Sequence, residues 1–246
     1  MAGHSKWANI KHRKSRQDAK RGKEFTKAIR EITAAAKTSG EDSPRLRQAI
    51  EQALSINMTR VSIDKAVKRA TGSEEGEDYQ EVIYEGYGPK GSAVYLECLT
   101  DNKNRSVAEI RHTLTRCGGN LGASGCAAHL FDKVGMVEVK GIKDEDKLFM
   151  DAVDAGATEL ENAGDDTDGE DGSSIYYLQS SPSDLQNLRA ALEKKDYEIG
   201  SSQVTMLAHT NVELTEDGLE KMQKLIDALE DLDDVQNVYC NVALES

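Results

Sequence analysis

TEDGLEKMQKLIDALEDLDDVQNVYCNVAL, residues 215–244, is the stretch on which the fold turns. Leu219, Met222, Leu225, Ile226 and Leu229 fall on one side of a 3.6-residue period, an amphipathic helix, and the apolar run that follows DLDD reads as a strand. One helix and one strand cannot enclose a core. They need a sheet made earlier in the chain, and the order of elements upstream says which.

From Val134 the texture alternates: a strand at GMVEV, a helix from Glu145 to Ala155, a strand at ATELE and an acidic loop, Glu161 to Gly172. A strand at SSIYYLQS, a helix from Pro182 to Lys194 and a strand at YEIGSSQVTML follow. That is β-α-β-β-α-β, the ferredoxin-like unit, complete in itself. Before it stand EVIYEGY and SAVYLECLT, joined by Gly88-Pro89-Lys90-Gly91, where Pro and Gly suit the second and fourth positions of a type I turn. Next come a helix with Val107, Ile110, Leu114 and Cys117 on its apolar side, capped by Asn104 or Ser106, a Gly118-Gly119 stop, and a strand at AAHLF. The economical solution sends residues 215–244 back to this first sheet, which makes the ferredoxin-like unit an insertion.

Upstream, Phe25, Ile29, Ile32 and Ala36 mark a helix over 18–37. Ser43-Pro44 opens a second one burying Leu46, Ile50 and Ala53 or Leu54, and a third runs from Arg60 or Ser62 to Ala70 with Ile63 and Val67. TGSEEGEDYQ is a linker. The expected fold is therefore α+β, a three-helix bundle with a basic arm (residues 1–76), a discontinuous α/β domain (77–133 plus 209–246) and an inserted ferredoxin-like domain (134–208).

The chain carries a formal charge of −13, and the mean hides a division. Up to Ala70 there are 17 Lys and Arg against 7 Asp and Glu, a net of +10; the remainder has 14 against 37, a net of −23. A basic head on an acidic body points to a polyanion gripped at one end and repelled at the other. No apolar run approaches the ~20 residues of a membrane span, and no apolar segment follows the basic start as a secretory signal requires. Four Cys without a CxxC pair give no disulfide framework. The expectation is a cytoplasmic protein.

GHSKWANIKHRKSRQDAKRGKEFTKAIREI (3–32), IYEGYGPKGSAVYLECLTDNKNRSVAEIR (83–111) and CGGNLGASG (117–125) closely resemble the YebC/PmpR-type family. Its bacterial members are known as probable transcriptional regulators, and its mitochondrial relatives as translational activators of a cytochrome c oxidase subunit. The likeness runs from Gly3 to about Asp234. It implies a helical N-terminal domain with two α/β domains, one inserted in the other, and no cofactor or catalysis. Bacterial members are described both as DNA-binding regulators and as ribosome-associated factors relieving stalls. Two departures, Gly125-Cys126-Ala127 in place of Gly-Ser-Val and Thr59 in place of Pro, read as packing or capping changes.

The first candidate surface is the arm and the helix after it: Lys6, Trp7, Lys11, His12, Arg13, Lys14, Arg16, Lys20, Arg21, Lys23, Lys27 and Arg30. Cations attract phosphates by releasing counterions, and Trp7 and His12 offer flat faces to unpaired bases. The plainer reading is a solvated basic terminus with Trp7 against the bundle; the composition favours phosphate contact. The second is Tyr84, Tyr87 and Lys90 with Asn102, Lys103, Asn104 and Arg105, which from residue types alone reads as ordinary turn and cap chemistry. The resemblance implies a working surface there.

His112, Cys117, Cys126 and His129 imitate a zinc quartet, but their helix and strand spacings point the side chains apart. The acidic loop lacks the register of a calcium loop. No P-loop, nucleophile elbow or HExxH string occurs, so neither an enzyme nor a small-molecule substrate is expected. The expected function is a nucleic-acid-binding regulator acting on DNA in transcription; the alternative is a translation factor on ribosomal or transfer RNA, with the ribosome as partner. No clear recognition helix favours the first, and the arm suits folded RNA.

Overall fold

The computed structural model describes residues 21–40, 43–71, 78–166 and 172–243. They form two compact units, one of residues up to Leu130 together with those from Thr210 on, the other of Phe131–His209.

The first unit begins with three helices, α1 (Arg21–Ser39), α2 (Pro44–Ser55) and α3 (Arg60–Thr71). Ser43 caps α2 by accepting from the Leu46 amide, with Pro44 in the first turn. Six of the ten fully buried core residues are alanines (Ala35, Ala36, Ala49, Ala53, Ala66, Ala70), packed around Ile32, Leu46, Met58 and Ile63. Small side chains let the helix axes approach closely. Ile29, expected inside, is exposed, and Ile50, Leu54 and Val67 are only partly covered.

The first sheet has the order β3-β1-β2-β8, with β1 (Gln80–Tyr87), β2 (Ala93–Thr100), β3 (Asn120–Leu121) and β8 (Val235–Cys240), every neighbour antiparallel. Helices α4 (Lys103–Arg116) and α7 (Glu216–Glu230) complete the core. Val94, Leu96 and Cys98 of β2 meet Ile110 and Leu114 of α4, Met222, Leu225, Ile226 and Leu229 of α7, and Val235 and Val238 of β8. The C-terminal helix and strand thus join the first sheet, as their apolar faces require. Three local expectations change. The β1–β2 connection carries Lys90 at φ 60°, a left-handed residue at the position where a type I turn has a right-handed one. AAHLF is a 3₁₀ turn over Ala128–Leu130, and the cap of α4 is Asn102, which accepts from the Arg105 amide at 3.1 Å.

The second unit runs β4 (Phe131–Ile142), α5 (Glu145–Asp154), β5 (Glu159–Asp165), β6 (Ser174–Ser180), α6 (Leu185–Glu193) and β7 (Glu198–Ala208). Its sheet order is β5-β6-β4-β7 with all neighbours antiparallel, the ferredoxin-like arrangement, so this unit is an insertion in the chain of the first. Val137, Val139 and Leu178 pack against Leu148 and Ala152 of α5 and Leu185, Leu188 and Leu192 of α6. The expected acidic loop is shortened at its start: β5 continues to Asp165, and buried Asp166 accepts from the Gly141 amide at 3.0 Å. No helix among the described residues is long and apolar enough to cross a membrane.

Candidate nucleic-acid interface

Of the first candidate surface, Lys6, Trp7, Lys11, His12, Arg13, Lys14, Arg16 and Lys20 lie outside the described residues, and Arg21 is described only as the backbone start of α1. Lys23, Lys27 and Arg30, at spacings of four and three, share one side of that helix. Two of these three cations are engaged by the acidic turn that follows α7. Lys23 donates to the Asp231 carbonyl at 2.9 Å and pairs with its carboxylate at 3.3 Å. Arg30 donates to the Asp233 carbonyl at 2.6 Å and to the Asp234 carboxylate at 2.5 Å, with its guanidinium 5.4 Å from the centroid of the Tyr79 ring.

Asp234 is the centre of this arrangement. Its side chain is 4% exposed, and besides Arg30 it accepts from Arg105 at 3.0 Å through both oxygens, from Ser106 at 2.7 Å and from Thr100 at 3.1 Å. Burial works to raise its pKa, but hydrogen bonds from Ser106, Arg105 and Arg30 outweigh that and hold the carboxyl below its ordinary value. Arg105, which also pairs with Asp101 at 2.7 Å, is pushed further above its ordinary pKa, first by the Asp234 hydrogen bond. One buried carboxylate therefore ties α1, the end of β2, the start of α4 and the turn before β8 together. The Asp101–Arg105 rim is thereby engaged in an internal joint. Sequence reasoning missed Asp234, whose partners stand 128 to 204 residues away.

The second candidate surface separates into two places. Asn102, Lys103 and Arg105 sit at the Thr100 end of β2, where the Tyr84 hydroxyl donates to the Lys103 carbonyl at 3.2 Å. Asn104 is an exposed residue of the first turn of α4. Tyr87 and exposed Lys90 lie at the opposite end of the hairpin, a strand length on the order of 25 Å away.

At that end Glu85 organises a glycine-rich loop. Its buried carboxylate accepts from the amides of Gly125 (2.6 Å), Ala127 (2.7 Å) and Ala128 (2.6 Å), and Tyr87 donates to the Cys126 carbonyl at 2.9 Å. Burial opposes ionisation of Glu85, and the three amides more than reverse it, so its pKa is lowered. A side chain on Gly119 would place Cβ 2.4 Å from the Tyr87 carbonyl oxygen; only glycine permits this approach of backbone to backbone. Glu85 shares β1 with Gln80 and Glu81, so residue type alone does not single it out; the amides that hold it lie 40 to 43 residues further on. The zinc-like quartet does not assemble: no group of three or more His, Cys, Asp or Glu among the described residues could hold a metal ion.

Comparison with known proteins locates this architecture. Residues 79–242 match the second and third domain of TACO1/YebC proteins, and residues 5–73 match the TACO1/YebC N-terminal domain. The chain belongs to the TACO1/YebC family. Within it, a protein of Coxiella burnetii named a probable transcriptional regulatory protein is 49% identical over 244 residues, 98% of this chain and 97% of that one. One of Aeromonas hydrophila with the same name is 50% identical over 98% of this chain and 96% of its own length. The crystal structure of a conserved hypothetical protein of Aquifex aeolicus superposes with a TM-score of 0.78 at 41% identity, covering 92% of this chain and 91% of that one.

Proposed function

We propose that this TACO1/YebC protein is a non-enzymatic regulator that binds nucleic acid through its basic N-terminal segment, acting on DNA in transcription. The observation that carries the reading is the charge division, +10 up to Ala70 against −23 beyond it, in a chain whose relatives bear the name of probable transcriptional regulators. The arm residues Lys6, Lys11, Arg13, Lys14, Arg16 and Lys20, with Arg21 and Lys27, contact phosphates, and Trp7 and His12 stack on unpaired bases where these are offered. Lys23 and Arg30 contribute less, because Asp231, Asp233 and Asp234 already engage them. The basic segment acts as a module, residues 1–76. Residues 77–133 with 209–246 and the insert 134–208 shape specificity or engage protein.

A second reading, a translation factor on ribosomal or transfer RNA, is favoured by Trp7 within a basic arm, since aromatic stacking serves looped RNA better than a closed duplex. Crosslinking in living cells, with sequencing of both bound DNA and bound RNA, separates the two. Discrete promoter peaks without ribosomal RNA support the first; crosslinks concentrated on ribosomal or transfer RNA replace it by the second. In vitro, replacing Lys11, Arg13, Lys14 and Arg16 by Ala should lower the log-log salt slope of binding by about 3, at ~0.7 to 0.9 per phosphate contact. An unchanged slope removes the arm from either mechanism.

A further inference from the structure

The inserted unit holds a surface that nucleic-acid binding does not explain. Helix α5 reads EDKLFMDAVD, with apolar residues on two sides. Leu148 and Ala152 face the core and are buried. Phe149, Met150 and Val153 are 54%, 68% and 52% exposed, and together with Asp146 they make a stripe on the side of the helix turned away from that core. Half of the six exposed large apolar side chains among the described residues thus fall within five positions of one helix. Scattered apolar residues on a surface need no explanation, but a contiguous set on one helix face marks an interaction site.

The charge around it selects the occupant. Residues 131–209 hold 18 Asp and Glu against 7 Lys and Arg, a net of −11, so phosphates are repelled. On α5 and its cap, Asp144, Glu145, Asp146, Asp151 and Asp154 face only Lys147. Asp144 caps the helix, Glu145 accepts from Tyr176 at 2.9 Å, and Asp151 is taken by Lys195 and Tyr197. The acids flanking the stripe itself are Asp146 and Asp154, both exposed. A second copy of this unit would bring like charges together. Met150 adds a flexible, polarizable side chain suited to an apolar anchor from another chain.

We propose that the Phe149–Met150–Val153 face of α5 is a docking site for a basic segment of another protein, one with apolar anchor residues flanked by Lys or Arg, so that the protein joins a nucleic acid through its basic end to a basic protein through its insert. The full-length chain is titrated with a synthetic Leu/Lys amphipathic helix and with its Leu/Glu counterpart. The Leu/Lys peptide should bind and the Leu/Glu peptide should not. The double variant Phe149→Ser/Met150→Ser should bind the Leu/Lys peptide at least about tenfold more weakly, because truncating central apolar anchors removes most of an interface's affinity. Both residues lie outside the core, so the variant should unfold at the wild-type temperature, which keeps a loss of binding distinct from a loss of fold. Equal binding by wild type and variant would mean that the peptide merely feels the acidic surface, and would overturn the proposal. A photoreactive residue at position 149 in living cells identifies the natural occupant. Crosslinks to proteins rich in Lys and Arg support the docking site; crosslinks to a second copy, or to residues 1–20 of the same chain, refute it.

Discussion

Replacing Asp234 by Ala tests whether the buried carboxylate is the joint that holds the helical bundle to the first sheet. Removing one partner of a buried ion pair costs about 3–5 kcal/mol, largely because the other charge is stranded. Arg105 is 42% exposed and keeps Asp101, so its loss counts for little. Arg30 is 13% exposed and keeps two carbonyl acceptors and the face of the Tyr79 ring, which leaves a penalty near the lower end, about 3 kcal/mol. Hydrogen exchange read by mass spectrometry should then show the amides of α1 opening roughly 100-fold more readily. Those of β4 to β7 should not change. The effect has a pH signature. Because the folded-state pKa of Asp234 is depressed, its contribution is present above the ordinary value of 3.8 and is lost as pH falls through the lower folded-state value. The gap between wild type and variant should be constant from about pH 5 upward and close in stronger acid. Unaltered exchange in α1 at neutral pH would show that other contacts seat the bundle and that the Asp234 cluster is incidental.

Three further outcomes are expected. Glu85→Gln keeps the shape but loses the charge and one acceptor oxygen among three amides, and should cost about 2 kcal/mol, with proteolysis of residues 122–128 as the readout; the wild-type advantage should fade as pH drops below the ordinary 4.5, since this pKa too is lowered. Gly119→Ala drives Cβ into the Tyr87 carbonyl and should lower the urea midpoint by the equivalent of about 2 kcal/mol or more, whereas Gly118→Ala, at φ +80° with open space around it, should lose only about 1; equal effects would contradict the close approach. Cys98, buried and pushed up to about 12 by that burial, should resist iodoacetamide at pH 8 until urea unfolds the first unit, as peptide mass mapping would show.

The insertion was legible because it follows from burial alone: the stripe Leu219 to Leu229 has no partner within its own segment, and β2 supplies one. Faces were less legible than elements. Ile29 lies on the apolar side of α1 yet is 40% exposed, since periodicity reports which side of a helix is apolar and not how far a neighbour extends along it. AAHLF looked like a strand because the cause of its turn is remote: the amides of Ala127 and Ala128 are taken by Glu85, 42 and 43 residues earlier. Lys90 is a non-glycine residue in the left-handed region, which neighbouring residue types do not announce. The candidate site suffered most from this distance effect. The sequence reads Arg30 as a phosphate-binding cation and Arg105 as part of ordinary turn and cap chemistry, because the carboxylate that holds both belongs to a turn more than a hundred residues further on.

The pairing of β2 with β8 also sets a timetable. Glu97 and Asn237, hydrogen-bonded across that seam, are 140 residues apart, and the whole insert lies between them. At roughly 5–20 residues per second, synthesis takes about 7–28 s to travel from one to the other. Within that interval the insert receives all of its residues and can begin to fold, while the far edge of β2 has unpaired amides and carbonyls and the core residues of α7 and β8 are unmade. Open strand edges invite pairing with other chains. A nascent chain of this protein is therefore most vulnerable in its earlier sheet, and residues made only after the insert are the ones that close it.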